Sequence, residues 1–133
     1  MILFTKLARY SLYVFGLGFL GFGVIFLISP TTLNTLSEVA LPTSISMMEI
    51  RAVYGGFFSG VGFFLLLCAW NESWLRVGLV AQASIMGGLL LARTLSLIVD
   101  GAPSLFIAVL SASEIVGFVI ALGALRSLGW KPD

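Results

Sequence analysis

The sequence predicts an all-α polytopic membrane protein, a bundle of four transmembrane helices. The chain is 59% hydrophobic and only 10% charged, whereas about a quarter of the residues of a soluble domain are charged. Four stretches approach the roughly 20 apolar residues that span a bilayer. Backbone polar groups in hydrocarbon must be satisfied within their own segment, so each stretch predicts a helix. The 133 residues predict one membrane domain, residues 1–133.

The first predicted span covers about residues 10–28 and follows Lys6 and Arg9. A secretory signal peptide is the alternative. The apolar run is longer than the hydrophobic region of a signal peptide, and no A-x-A-like cleavage site follows Ile28. We therefore expect an uncleaved helix.

The connection after the first span carries a helical pattern. Ser29 can cap a helix and Pro30 suits a first helical position. Apolar residues then recur at helical spacing: Leu33, Leu36 and Val39 or Ala40. This pattern predicts a short interfacial helix on the outer leaflet, with a plain loop as the alternative.

The other three predicted spans cover about residues 50–70, 77–99 and 104–125. Helix start and stop signals bound them: LPTS at 41–44, NES at 71–73 and DGAPS at 100–104. Pro103 suits the first turn of the fourth helix.

The positions of lysine and arginine predict the orientation. Connections 29–48 and 100–103 contain neither residue, whereas the other flanks carry Lys6, Arg9, Arg76, Arg126 and Lys131. Lysine and arginine concentrate on the cytoplasmic side of membrane proteins. Both termini and the 71–76 connection are therefore expected to face the cytoplasm.

The composition excludes several functions. The chain has a net charge of +1 without a basic patch, no histidine, and Cys68 as its one cysteine. Nucleic acid is therefore not an expected partner. A His/Cys metal site, a histidine-based nucleophile and an internal disulfide are excluded. No metal, cofactor or catalytic residue is predicted, and enzymatic activity is disfavoured.

Small residues at four-residue spacing are typical of close helix contact in membranes. They predict packing positions in the second, third and fourth spans: Ala52, Gly56 and Gly60, then Gly88, then Gly117.

A polar cluster is predicted in the outer half of the bundle. Glu114 lies about 15 Å below the outer end of its span, at about 1.5 Å per residue, where a carboxylate must be protonated, paired or exposed to a polar cavity. Arg93 lies at a similar offset from the short outer turn and is its natural partner. The predicted cluster comprises Glu49, Arg51, Tyr54, Arg93 and Glu114.

Two members of the cluster, and the neighbouring Asp100, also have a simpler interpretation. Glu49 can close a capping box that starts at Ser46, and Arg51 can extend to the outer head groups. Asp100 with Gly101 predicts a helix stop. The cluster as a whole is either a structural staple or a ligand site open to the outer leaflet.

The EIRAVYGG stretch, the ART…DG pair in the third span and the glutamate in the fourth resemble a family of small bacterial four-span proteins. That family is a domain of unknown function, loosely similar to DoxX-like membrane proteins. The resemblance covers nearly the whole chain and implies a bacterial inner-membrane location. It marks these positions as characteristic: Glu49, Arg51, Tyr54, Gly55, Gly56, Arg93, Asp100, Gly101 and Glu114.

Three functions fit these features. The first is binding of a lipid-like or other amphipathic small molecule, its head group at the cluster and its tail on Phe57, Phe58, Phe63 and Phe64. The second is an accessory subunit that docks on a larger membrane complex; a homo-oligomer fits the same glycine-lined faces. The third is a small proton-coupled transporter that uses Glu114. Membrane lipids are expected partners in every case.

Overall fold

The computed structural model describes residues 2–37 and 44–129. All regular elements in these ranges are helical, so the predicted all-α fold is confirmed. They are α1 (Ile2–Ile28), α2 (Thr32–Ser37), α3 (Ser44–Ile50) with a π-helix (Arg51–Phe57), α4 (Phe58–Trp70), a 3₁₀ turn (Glu72–Trp74), α5 (Leu75–Val99) and α6 (Leu105–Ser127).

Four helices are long and apolar enough to cross a membrane: Leu3–Ile28, Ser44–Trp70, Glu72–Val99 and Leu105–Ser127. The chain is a multi-pass membrane protein. The first helix begins at Ile2, well before the predicted apolar stretch, because the stems of Lys6 and Arg9 tolerate a helical position near a membrane surface. The second begins at Ser44, so Ser46 and Glu49 lie within helix α3 and not at its start.

A short helix, α2, occupies part of the predicted interfacial segment and contacts α1 and α6. It begins at Thr32, and Ser29 and Pro30 precede it. Predicted helix positions Val39 and Ala40 lie outside the described residues.

The four long helices form a bundle in which α1 packs against α4 and α6, and α5 packs against the same two helices. Helices α4 and α6 therefore occupy opposite corners. Consecutive long helices run antiparallel. We call the end that carries Ile28, Ser44, Val99 and Leu105 the outer end, and the opposite end the inner end.

The core lies toward the inner end. It includes Leu12, Leu65, Cys68, Leu79 and Ala121, all of them fully buried. The outer part of the α5–α6 hairpin is different, since every residue from 91 to 105 except Arg93 is exposed. The bundle is tightly closed at its inner end, and at its outer end this hairpin is open to its surroundings.

Glycines bring α1 into backbone contact with the second span, that is, with the π-helix and α4. A Cβ atom on Gly62 would lie 2.6 Å from the carbonyl oxygen of Gly16, and a Cβ on Gly23 would lie 2.8 Å from that of Gly55. The first and second spans thus each contribute two glycines that are seven residues apart. This heptad spacing keeps small residues on one face of a helix pair.

Of the small residues predicted to pack between helices, only some lie in a close contact. A Cβ on Gly117 would lie 2.6 Å from the Phe15 ring, so Gly117 does pack closely. Around Gly60 and Gly88 no atom lies within 4 Å of such a Cβ, and Gly56 meets only the Arg51 carbonyl at 3.7 Å. Ala52 is exposed. The four-residue pattern marked the wrong face of the second span, because the contact with α1 follows the heptad glycines.

Candidate ligand site at the outer end

The centre of the site is an ion pair between α5 and α6. Arg93 donates from Nε to Glu114 Oε2 at 2.7 Å and from Nη2 to Oε1 at 2.8 Å. The Glu114 side chain is 7% exposed and that of Arg93 is 24% exposed. Charge-assisted bonds of this bidentate kind are short and geometrically specific. The pair satisfies the deep carboxylate and leaves one side of the guanidinium accessible.

The turn between α5 and α6 sets the register of this pair. The Asp100 backbone N–H donates to the Ser96 carbonyl, and Gly101 follows with φ +98°, a conformation that glycine adopts at little cost. Ser104 then caps α6 by accepting from the Ile107 N–H at 3.4 Å. The predicted helix stop is therefore present. Pro103 precedes the cap and does not lie in the first turn of the helix.

A pocket of about 280 Å³ opens beside the ion pair, between the outer ends of α5 and α6. Arg93 lines it, and the helices and their turn supply the rest of the lining, including Ser96, Leu97, Asp100, Pro103 and Ser111. Hydroxyl, carboxylate and guanidinium groups thus share a small space with apolar side chains. Such a mixture of apolar surface with a few placed polar groups is typical of small-molecule sites.

Arg93, which lines this pocket, retains unused hydrogen-bond donors. A guanidinium has five N–H donors, and Glu114 accepts from one on Nε and one on Nη2. Within the described part of the chain, both Nη1 donors and the second Nη2 donor have no acceptor. The Ser96 hydroxyl likewise has no partner among the described residues, whereas Ser111 donates to the Ile107 carbonyl at 2.8 Å.

Arg51 and Tyr54, two predicted cluster members on the second span, contact α1 and not the Arg93–Glu114 pair. Arg51 donates from Nε to the Leu27 carbonyl at 3.3 Å, which ties the start of the π-helix to the end of α1. Tyr54 packs edge-on against Phe26 and Phe58, with ring centroids 5.9 and 5.6 Å away. The stretch that carries Arg51 and Tyr54 packs mainly on α1, so these residues and the Arg93–Glu114 pair belong to different helix contacts.

Glu49 is exposed, and residues 2–37 and 44–129 offer it no hydrogen bond or ion pair. Of the phenylalanines proposed to hold a tail, Phe58 belongs to the aromatic cluster around Tyr54, whereas Phe57, Phe63 and Phe64 are exposed. The pocket is lined by α5, α6 and their turn. The structure therefore brings together Arg93 and Glu114, and adds Ser96, Asp100 and Ser111 to them.

A second polar group, not predicted from the sequence, lies in the bundle interior. Gln82 is fully buried. Its Nε2 donates to Ser11 Oγ at 2.8 Å and to the Gly117 carbonyl at 2.9 Å, and Ser11 Oγ lies 3.2 Å from Gln82 Oε1. The network joins α1, α5 and α6. The sequence could have indicated this network, because Gln82 is the single glutamine of the chain and lies within an apolar span.

The match to known families covers most of the chain. The model of a family described as "Domain of unknown function (DUF4345)" matches residues 7–125. No curated protein and no solved structure matches the chain.

Proposed function

Because the chain belongs to the DUF4345 family, whose function is unknown, we propose from its geometry that it binds an amphipathic small molecule in the membrane. The head group occupies the pocket between the outer ends of α5 and α6, and the tail lies in the outer leaflet. One observation carries the proposal. Arg93 is held in place by Glu114, lines the pocket, and keeps N–H donors that no described residue accepts from.

The size of the pocket supports an amphipathic ligand. About 280 Å³ is just below the 300–1,000 Å³ or so of sites that enclose a whole drug-sized molecule. It suits a head group, with the remaining part of the ligand outside. The same outer ends of α5 and α6 carry exposed apolar side chains, among them Leu97, Ile98 and Leu105. In a bilayer these side chains face lipid, so a tail that leaves the pocket meets an apolar environment.

A ligand site also accounts for the position of Arg93. An arginine within a membrane span is costly and is usually associated with a polar pathway, a partner or a ligand. Glu114 supplies the partner but accepts only two of the five donors. Polar head groups carry the acceptors that satisfy the others.

Native mass spectrometry of the protein purified in a mild detergent tests this proposal. We expect a lipid-sized adduct that is absent from two variants. Arg93→Ala removes the donors, and Ala102→Trp fills the pocket while leaving the ion pair intact. Ala112→Trp, at an exposed position on α6 outside the pocket lining, is the matched control and should keep the adduct. An adduct that survives both pocket variants would contradict the proposal.

We also propose that the protein lies in the bacterial inner membrane with both termini in the cytoplasm. The cationic side chains that flank the spans support this orientation, because those of Arg9 and Arg76 lie at the inner end, whereas Arg51 and Arg93 belong to the spans themselves. Arg9 lies 4.0 Å from Glu72, and Arg76 donates to the Gly129 carbonyl. Trp70 and Trp74 are exposed at the same end, as is typical of residues at a membrane–water interface.

Cysteine labelling of intact bacteria tests the orientation. In a Cys68→Ala background, Ala102→Cys at the outer turn should react with a membrane-impermeant maleimide. Ser73→Cys at the inner end should react only after the cells are permeabilised. The reverse pattern would show that the termini face outward.

A further inference from the structure

We infer that the head group bound by the outer pocket is uncharged and rich in hydrogen-bond acceptors, as the ester carbonyls and hydroxyl of a diacylglycerol are. This inference rests on the function proposed above and narrows it to a ligand class. An arginine in a binding pocket commonly signals an anionic ligand, but the charges around Arg93 argue against one here.

The pocket has no excess positive charge. Arg93 is its one cation among the residues of its lining, and Asp100 lines the same pocket. Glu114 lies directly behind Arg93 and forms both bonds of the bidentate pair. With these carboxylates ionised, the two acidic groups outnumber the single basic group. Arg51, the other arginine of the outer half, donates to the Leu27 carbonyl on α1 and does not line the pocket.

An anionic head group would share the one positive charge of Arg93 with Glu114. A phosphate can bind the free Nη1 and Nη2 donors without breaking the bidentate pair, but its charge then lies across the same guanidinium from the Glu114 carboxylate, whose side chain is only 7% exposed. Like charges held close together in a poorly solvated site repel each other. The anion would also approach the Asp100 carboxylate across a pocket of about 280 Å³, where repulsion is only partly screened. Both terms disfavour a charged ligand.

A neutral acceptor avoids both costs. The Nη1 donors and the remaining Nη2 donor of Arg93 can bind carbonyl or ether oxygens while Nε and Nη2 stay on Glu114. Ser96 in the lining can donate to an acceptor or accept from a ligand hydroxyl. The ion pair therefore acts as a fixed neutral donor array, in which Glu114 positions Arg93 and cancels its charge.

A pair of lipids with identical acyl chains tests the inference. Delipidated protein is mixed with dioleoylglycerol or with dioleoyl phosphatidic acid, and binding is measured by native mass spectrometry. We expect the wild type to favour dioleoylglycerol by about tenfold or more, which corresponds to about 1.4 kcal/mol. Glu114→Gln keeps the shape and an acceptor but frees the charge of Arg93, so the preference should shift toward phosphatidic acid. Glu72→Gln at the inner end is the matched control and should not change the ratio.

The outcomes separate this inference from the proposed function. If the wild type binds neither lipid more than Ala102→Trp does, both the proposed function and this inference fail. If it binds phosphatidic acid equally well or better, the inference is overturned and the binding site stands. Asp100→Asn lies in the exposed turn and provides a second variant should Glu114→Gln fold poorly. It should raise phosphatidic acid binding, and an unchanged ratio would contradict the inference.

Discussion

Gly62→Leu is expected to lower the free energy of unfolding by about 3 kcal/mol or more, because overpacking against backbone cannot be relieved by a rotamer change. A Cβ at this position would lie 2.6 Å from the Gly16 carbonyl oxygen and 2.8 Å from the Leu20 Cα. Both atoms belong to the backbone of α1, so the two helices must separate. The loss can be measured by SDS titration of the protein in mixed micelles.

Gly60→Leu is the matched control, two residues earlier on the same helix. No atom lies within 4 Å of a Cβ at Gly60, which is exposed. This substitution should change the free energy of unfolding by no more than about 0.5 kcal/mol, the usual range of surface substitutions. Leucine is also a better helix former than glycine. Equal losses at positions 60 and 62 would show that α1 and α4 do not meet along the heptad glycines.

The two glycines show that the sequence predicts the membrane-spanning helices but not which of their faces are in contact. Hydropathy is a property of each segment by itself, so the number of long helices was predictable from composition. Helix contact is a property of two segments. Gly60 and Gly62 are alike in sequence, and the opposing α1 backbone at Gly16 and Leu20 distinguishes them. The glycines that make the contact are seven residues apart on both spans, and this spacing could have been read from the sequence. The four-residue spacing of other small residues predicted a different face instead.

One part of the candidate site was likewise predictable from the sequence and another part was not. Arg93 and Glu114 lie on adjacent helices joined by a short turn, so counting from that turn was enough to predict their contact. Arg51 had no such local constraint. It begins a π-helix, whose wider turn changes the direction of the side chains relative to an α-helix. Apolar periodicity does not reveal that change, and the stretch packs on α1 through contacts that depend on the whole bundle.

Removing one member of the ion pair is expected to have the second large effect on stability. Arg93→Met leaves the Glu114 carboxylate without its cation, and we expect a loss of about 3–5 kcal/mol, as for other broken buried pairs. Glu114→Met should cost less. Arg93 is 24% exposed, and its long stem can carry the charge toward the outer surface, whereas a short carboxylate has no such route.

The double variant, with methionine at both positions, should recover most of this loss and unfold within about 1 kcal/mol of the wild type, since apolar residues of similar volume often replace a buried ion pair at little cost. SDS titration of the four proteins gives the coupling energy between the two positions. A double variant as unstable as the single variants would mean that the pair is not an isolated unit of the fold.

The same double variant separates the two interpretations of the pair. A purely structural staple can be replaced by apolar contact without loss of any adduct, because its contribution is cohesion between α5 and α6. A ligand site cannot, because methionine supplies no N–H donor to the pocket. We therefore expect the double variant to fold and yet to lose the bound amphiphile. A stable double variant that keeps its adduct would identify the pair as a staple and place the ligand contacts elsewhere.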